Sequence, residues 1–216
     1  MSSATVASPG TLDELLVGIS EKLQISPTQH EKAASRYKAV EECLGRPQSS
    51  LERFRPTIFP QGSLCLGTTV KPRGREEYDL DLVLQLASID PRIVDSDSLF
   101  QAVLRELAKS DVYRPMLEPK NRCITIDYAD EFHLDLLPAV PDPHAGGTCV
   151  LVPDRERRRW TPSNPRGYAA WFEERAAKYV RVEKLAAEPI PDQVSASEKP
   201  PLKVAVQLWK RWRDVR

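Results

Sequence analysis

Two aspartates separated by one residue lie in the segment Tyr78–Leu86, and their spacing makes them the first candidates for chemistry in this chain of 216 residues. Large apolar residues alternate with other residues along the segment, which predicts a β-strand with one buried face. Side chains two positions apart on a strand point the same way, so Asp79 and Asp81 are expected about 7 Å apart on the other face. Two carboxylates that face one cleft repel each other unless a cation lies between them. Because oxygen ligands favour hard ions, the pair predicts a site for Mg²⁺ or Mn²⁺.

A third acid and a glycine-serine turn strengthen this interpretation. Asp135 falls on the polar face of a second alternating segment, Phe132–Leu137. Upstream, Gln61-Gly62-Ser63 predicts a turn that binds phosphate, because glycine lets the backbone come close and the serine hydroxyl and N–H can donate to phosphate oxygens. Taken singly, each feature has a plainer explanation: acids on a solvent-facing edge strand, or an ordinary turn. Together they favour phosphoryl transfer with two divalent metal ions held by the three aspartates.

Elements that would position these residues can be predicted from capping signals and periodicity. The apolar, polar and proline-rich stretches suggest a mixed α+β fold, with a proline-rich irregular loop over Pro138–Pro165. Residues 1–10 are predicted as a loose tail. One helix is expected to begin near Leu12, a second to run from Ser26 to Gly45, and a third to contain Phe100 to Leu107. A fourth helix should follow the N-cap Asn164, with Tyr168, Trp171, Phe172 and Tyr179 inward. The last helix should begin near Pro201, with Leu202, Val206 and Trp209 on one face. The expected strands are Tyr78–Leu86 and the pair Asn121–Tyr128 and Glu131–Ala139, joined by a tight turn at Ala129-Asp130.

Composition and charge exclude several classes of protein. Basic and acidic residues balance at 31 each, which argues against a nucleic-acid coat protein and for local phosphate binding in a cleft. The four cysteines lie far apart, without CxxC pairs or clustered histidines, which argues against a zinc site and a disulfide framework. No signal peptide and no apolar run near the roughly 18 residues of a membrane span are present, so a cytoplasmic protein is expected.

The chain resembles the CD-NTase family. Its members are bacterial relatives of cyclic GMP-AMP synthase and belong to the DNA polymerase β-type nucleotidyltransferase superfamily. The resemblance implies a polymerase β-like fold with a mixed β-sheet and flanking helices. It divides the chain into a tail and short helix over residues 1–25, a catalytic core over 26–160, and the start of an incomplete, apparently truncated helical lobe over 161–216. The motifs that carry the resemblance are Gln61-Gly62-Ser63-Leu64, Gly67-Thr68, Tyr78-Asp79-Leu80-Asp81, Leu134–Pro138, Asn164–Tyr168 with Trp171-Phe172, and Pro201–Leu208 with Lys210-Arg211.

The same resemblance implies the function. Nucleoside triphosphates would bind through Gln61, Gly62 and Ser63, with two Mg²⁺ ions on the aspartates, and would be joined into a cyclic di- or trinucleotide. In the family, an effector protein reads such a product in anti-phage defence. Asn164 is a candidate for contact with a base, although a helix N-cap is its plainer role. Without a zinc-ligand cluster, activation by DNA is not implied.

Three other interpretations stay open at this stage. The chain could be another polymerase β-type transferase that acts on an RNA end, a protein or an antibiotic. It could be a nucleotide-binding fragment that has kept the acids but lost catalytic competence. It could also be an unrelated α/β domain, which would not bind nucleotides in a Mg²⁺-dependent way.

Overall fold

A computed structural model of the protein describes residues 11–73, 78–128, 132–178 and 195–216. The tail 1–10 and the turn Ala129-Asp130 therefore lie outside the described residues, as do Tyr179 and most of the connection before the last helix. The described helices are α1 (Leu12–Lys22), α2 (Pro27–Gly45), α3 (Gly62–Cys65), α4 (Ser96–Leu107), α5 (Pro165–Ala177) and α6 (Pro201–Asp214), with 3-10 turns at Glu52–Phe54 and Arg114–Met116.

Capping residues set the beginnings of the helices as predicted. At α2, the Ser26 side chain accepts from the N–H of Gln29, and the Gln29 side chain accepts from the N–H of Ser26, so two otherwise unpaired donors are satisfied. Pro27 occupies the first helical turn, where its missing N–H costs nothing. The predicted helices from Leu12, from Ser26 to Gly45 and from Pro201 are confirmed.

A mixed sheet forms the centre of the fold, as expected for this class. Its path is β1-β2-β5-β4-β3, and β6 and β7 extend it from the end of β5. Strands β2 and β5 run parallel, whereas every other described pairing is antiparallel. The strands are β1 (Pro56–Pro60), β2 (Tyr78–Leu86), β3 (Leu117–Pro119), β4 (Ile124–Tyr128), β5 (Phe132–Pro141), β6 (Val150–Asp154) and β7 (Arg159–Ser163).

Alternation along β2 and β5 gives the sheet one fully apolar face. Leu80, Leu82, Leu134 and Leu136 have no exposed surface and pack with residues of α2 and α4. Burying one such side chain contributes about 1.5–3 kcal/mol. The position of β2 and β5 is therefore set by a large core, and the register of the two strands is set with it.

Our expectation of an irregular loop over Pro138–Pro165 is wrong. β5 continues to Pro141, and β6 and β7 form an antiparallel hairpin within the proline-rich stretch. Proline is tolerated in strands where no ladder hydrogen bond is required. Pro153 pairs with Trp160 of β7 on one side, and its other side is unpaired because β6 pairs with β5 only at Val150 and Leu151.

The inward orientation predicted for the aromatic residues of α5 is also mostly wrong. Phe172 is buried, but Tyr168 and Trp171 are 54% and 48% exposed and stack on each other, with ring centroids 5.6 Å apart. On α6, Trp209 is 66% exposed. No helix in the described ranges is long and apolar enough to cross a membrane.

A buried acid ties α4 to the loop after α2. The Glu106 side chain has no exposed surface. It accepts hydrogen bonds from the hydroxyl of Ser50 at 2.6 Å and from Nζ of Lys109 at 2.6 Å, and Arg46 lies 3.5 Å away. Burial alone would raise the pKa of Glu106, but these hydrogen bonds outweigh it and hold the pKa at about 2. Glu106 is therefore a charged structural anchor.

Candidate active site

The parallel pairing of β2 and β5 brings the three aspartates together. Asp81 is the register partner of Asp135, and Asp79 is the partner of His133. Neighbouring strands lie about 4.8 Å apart, and aligned residues point to the same face. The predicted grouping of the acids on one face of two strands is therefore present.

The glycine-serine turn lies directly against Asp81. The backbone N–H of Gln61 donates to the carbonyl oxygen of Asp81 at 2.8 Å, which fixes the turn to β2. Gly62 has a φ of 65°, in the left-handed region. A β-carbon on Gly62 would lie 2.9 Å from Cγ of Asp81, too close for any residue other than glycine. The backbone of the turn at Gly62 therefore packs directly against the carboxylate of Asp81 on β2, the acid strand.

Electrostatic interaction among the acids is visible at Asp81. Burial raises the pKa of Asp81 to about 6, and the negative charges of Asp79 and Asp135 act in the same direction, while Lys210 opposes them. The carboxylates of Asp79 and Asp135 are therefore close enough to disfavour the ionised state of Asp81. A divalent cation would remove this repulsion.

Asp135 has three polar neighbours on the β3–β4 hairpin. The hydroxyl of Thr125 donates to Oδ1 of Asp135, and Nζ of Lys120 lies 3.7 Å from the same oxygen. Burial raises the pKa of the Cys123 thiol to about 12, and the charge of Asp135 and a hydrogen bond to it act in the same direction. One carboxylate oxygen of Asp135 is therefore oriented by neighbouring side chains.

The donor set fits a hard divalent ion, since it consists of carboxylate oxygens whose mutual repulsion needs a cation. Among the residues that the structure describes, however, no three acidic, histidine or cysteine side chains converge closely enough to hold a metal ion. Oδ1 of Asp135 is directed to Thr125 instead. The joint ligation of metal by Asp79, Asp81 and Asp135 remains a prediction.

Ser63 is held by the loop that follows α3. The N–H of Thr68 donates to the Ser63 carbonyl at 2.8 Å, and the hydroxyl of Thr69 donates to Oγ of Ser63 at 3.2 Å. Thr69 was not foreseen, because a single threonine in a loop forms no pattern in the sequence.

Helix α6 supplies positive charge beside the acids. Burial and the nearby Arg213 lower the pKa of Lys210, whereas the charges of Asp81 and Asp79 favour its ionised form. Nζ of Lys210 donates to the Thr68 carbonyl at 3.2 Å. Lys210 belongs to a motif noted in the sequence, but nothing there indicated that it would approach the aspartates.

A groove of about 270 Å³ lies beside the glycine-serine turn. It is lined by Gln61 and Gly62 from one side and by Asn164 and Tyr168 from the other, with Cys65 in the same lining. Asp79, Asp81, Asp135 and Ser63 are not among its lining residues. The groove therefore adjoins the acids rather than containing them.

Asn164 caps α5, as its plainer interpretation predicted. Its Oδ1 accepts from the N–H of Gly167 at 2.8 Å and from the hydroxyl of Thr148 at 2.9 Å, and its Nδ2 lies 3.3 Å from Sγ of Cys149. Both polar atoms of its side chain thus have partners within the protein. Contact of Asn164 with a base remains a prediction.

Carboxylates on neighbouring strands beside a glycine-serine turn define a nucleotidyltransferase fold of the polymerase β type. Residues 11–176 match the sequence model of the Second Messenger Oligonucleotide or Dinucleotide Synthetase domain, SMODS. The chain belongs to this family, which confirms the resemblance drawn from the motifs.

Two curated relatives are similar along most of the chain. A c-di-GMP synthase of Roseivirga ehrenbergii is 30% identical over 207 residues, covering 94% of this chain and 54% of the relative. The cyclic dinucleotide synthase CdnG of Bradyrhizobium diazoefficiens is 32% identical over 232 residues, covering 94% and 53%. The chain therefore spans about half the length of the curated relatives it matches.

Solved structures confirm the fold class. The Bradyrhizobium diazoefficiens CD-NTase CdnG in complex with GTP superposes with a TM-score of 0.71 at 28% identity, covering 94% of this chain and 63% of that one. The 3'-deoxy GTP bound form of Escherichia coli DncV gives a TM-score of 0.57 at 20% identity, covering 78% and 60%. At that lower identity the likeness concerns the fold alone.

Proposed function

We propose that the chain carries the catalytic core of an enzyme that joins nucleoside triphosphates into a cyclic dinucleotide with release of pyrophosphate. The observation that carries the proposal is the electrostatic grouping of Asp79, Asp81 and Asp135, with Gly62 packed directly on Asp81. The names of the two curated relatives support a dinucleotide product. GTP is the first substrate to test, because it is bound in the solved CdnG structure.

In this proposal each residue has a distinct role. Asp79 and Asp81 present carboxylates for divalent ions, which when bound would neutralise the phosphates and lower the pKa of the attacking hydroxyl. The backbone of Gly62 and the hydroxyl of Ser63 bind the triphosphate, and Gln61 fixes their turn to β2. Asp135 shares the metal site and would accept the proton of the attacking hydroxyl. The positive charge of Lys210 offsets the negative charge of the site.

Two Mg²⁺ ions, with Mn²⁺ as a substitute, are proposed from the donor set rather than observed. A second round of transfer on the linear intermediate would close the ring. The product would act through an effector protein in the cytoplasm of a bacterium, in defence against phage.

The proposal is tested by incubating the purified chain with labelled GTP, alone and mixed with ATP, in the presence of Mg²⁺. A product that resists phosphatase, absent for Asp79→Asn with Asp81→Asn, is the expected result. Pyrophosphate release without a resistant product would favour a transferase that uses another acceptor, such as an RNA end or a protein. Nucleotide binding without pyrophosphate release would indicate a catalytically incompetent domain and overturn the proposal.

A further inference from the structure

We infer that Thr69 is a positioning residue that directs the hydroxyl of Ser63 toward the triphosphate. This inference rests on the proposed function, because it concerns the same phosphate-binding turn. Thr69 is 7% exposed, whereas Ser63 is half-buried and so more accessible. The effect of Thr69 is therefore expected to pass through Ser63.

The hydroxyl of Ser63 is the group that Thr69 would orient. A serine hydroxyl carries one hydrogen to donate and can accept through its lone pairs. Oγ of Ser63 accepts the hydrogen of Thr69 at 3.2 Å. The hydrogen of Ser63 therefore stays available for another acceptor. A hydrogen bond from it to a charged phosphate oxygen would be stronger than one to a neutral group.

Hydrogen bonds fix the backbone on both sides of Thr69. The N–H of Thr68 donates to the Ser63 carbonyl at 2.8 Å. The carbonyl of Thr69 accepts from Nε2 of Gln207 at 2.6 Å, and Gln207 has no exposed surface. Thr69 is thus held between the serine that it orients and a buried residue of α6.

Gln207 is in turn held by the half-buried amide of Gln24. Nε2 of Gln24 donates to Oε1 of Gln207 at 3.0 Å, and Nε2 of Gln207 lies 3.2 Å from Oε1 of Gln24. Gln24 also donates to the carbonyl of Ser20 in α1 at 2.8 Å. A buried polar network in which every member has a partner makes one arrangement rigid, because a displaced member would leave buried groups unpaired.

Further donors on neighbouring carbonyls hold the same loop. Lys199 donates to the Gly67 carbonyl at 3.3 Å, Lys210 donates to the Thr68 carbonyl at 3.2 Å, and Arg211 donates to the Lys71 carbonyl. With the bond from Gln207 to Thr69, four side chains from residues 199–211 bind this loop. Helix α6 therefore sets the position of the loop, and the loop sets the hydroxyl of Ser63.

A double-mutant cycle tests the inference. The variants are Thr69→Val, which removes the hydroxyl at nearly constant volume, Ser63→Ala and the two combined. The probe is a GTP analogue with an α,β-methylene bridge, and its dissociation constant is measured by calorimetry with Mg²⁺. We expect Thr69→Val to weaken binding about tenfold, the scale of one charge-assisted hydrogen bond. In the Ser63→Ala background the same change should have no further effect.

Two controls separate positioning from general damage. Thr69→Ser keeps the hydroxyl that donates to Ser63, so binding should stay within about threefold of that of the unmodified chain. Thr57→Val changes an exposed threonine of β1 and should leave both binding and melting temperature unchanged. Melting temperatures of all variants are compared, so that an unfolded variant is recognised.

The outcomes distinguish this inference from the proposed function. Unchanged affinity of a folded Thr69→Val variant overturns the inference, as does an equal loss in the Ser63→Ala background. Failure of the unmodified chain to bind the analogue overturns the proposed function, and the inference with it.

Discussion

Gly62 and Asp81 are packed so closely that the turn and the acid strand form one unit. A β-carbon on Gly62 would lie 2.9 Å from Cγ of Asp81 and closer still to Oδ2. The φ of Gly62, 65°, is itself unfavourable for other residues. The shape of the proposed phosphate site therefore depends on the absence of a side chain at this position.

Replacing Gly62 by alanine should damage both folding and activity. We expect a loss of at least about 1–2 kcal/mol in the free energy of unfolding from the left-handed conformation alone. Nucleotide transfer should fall more than about 100-fold, because misplacement of a catalytic group by 1 Å can have that effect. Chemical denaturation and the pyrophosphate assay measure the two effects.

Gly18→Ala is the matched control for this change. Gly18 lies within α1, and a β-carbon there would meet no atom within 4 Å. Alanine should stabilise the helix by about 0.5–1 kcal/mol. If Gly62→Ala behaves like Gly18→Ala, the close packing on Asp81 has no functional importance.

Asp81→Asn should stabilise the protein at neutral pH while abolishing turnover. The pKa of Asp81 is raised from 3.8 to about 6, so the folded state loses stability as the pH rises through about 6. Removing the carboxylate charge is expected to raise the free energy of unfolding at neutral pH by about 1–3 kcal/mol, since one pKa unit corresponds to 1.4 kcal/mol. Urea titration with EDTA present measures the difference.

The same urea titrations, repeated at low pH, provide the internal control for Asp81. Below its ordinary pKa the group is protonated in both folded and unfolded chains, so the variant and the unmodified chain should become equally stable. A variant that is less stable at neutral pH would contradict the raised pKa of Asp81, which burial and the charges of Asp79 and Asp135 cause.

Thr125→Val should weaken divalent metal binding, because the Thr125 hydroxyl orients Oδ1 of Asp135. Changes to groups that orient metal ligands typically lower metal affinity about 10–100-fold, and we expect the lower end of that range. The measurement is Mn²⁺ binding by electron paramagnetic resonance with the methylene GTP analogue present. Thr125→Ser should retain the affinity, and equal affinities for all three proteins would disprove an orienting role.

Glu106→Gln tests the structural anchor between α4 and the loop after α2. The pKa of Glu106 is lowered from 4.5 to about 2, so its contribution is present above pH 4.5 and is lost as the pH falls through about 2. We expect the variant to lose about 2–3 kcal/mol of unfolding free energy at neutral pH, with the difference shrinking in acid. Glu118→Gln, at an exposed position of β3, should have little effect. A constant difference at all pH values would exclude ionisation as the cause.

Substitutions at Asn164 separate its cap from a role in base recognition. Asn164→Ala should destabilise the chain by about 1 kcal/mol through loss of the N-cap, whereas Asn164→Ser should restore most of this. If the cap is its whole role, Asn164→Ser should also bind GTP and ATP analogues like the unmodified chain. Altered preference between the two analogues in this well-capped variant would reveal contact with a base.

The acid strand could be predicted because the pattern that forms it lies within its own residues. Tyr78–Leu86 alternates except at Val83, and the strand occupies those residues. The same holds for Ser26-Pro27-Thr28-Gln29, whose capping box forms from neighbours in the chain. Elements of this kind need no knowledge of the tertiary structure.

The hairpin of β6 and β7 could not be predicted in the same way. Pro153 and Pro162 are breakers by local rules, and only the pairing scheme shows that they occupy tolerated positions. The exposure of Tyr168 and Trp171 is similar, since their spacing on α5 is compatible with either face. Which face is buried depends on partners elsewhere in the chain.

Within the candidate site, the acids were predicted and their supports were not. Asp79, Asp81 and Asp135 follow from strand alternation, and the structure groups them as expected. The contacts of Thr69 with Ser63 and of Gln207 with Thr69 join distant segments. Such contacts leave no local pattern, because they depend on how α6 packs against the loop.

The parallel pairing of β2 with β5 has a consequence for folding. Asp81 and Asp135, which are 54 positions apart in the chain, become neighbours only when β2 and β5 have paired in register. A shift of one residue would turn the acids of one strand into the core, which the leucine face forbids. Pairing across such a distance is slow, because the intervening chain must first be ordered. We therefore expect the site to form late in folding, and a misregistered intermediate to lack activity entirely rather than show part of it.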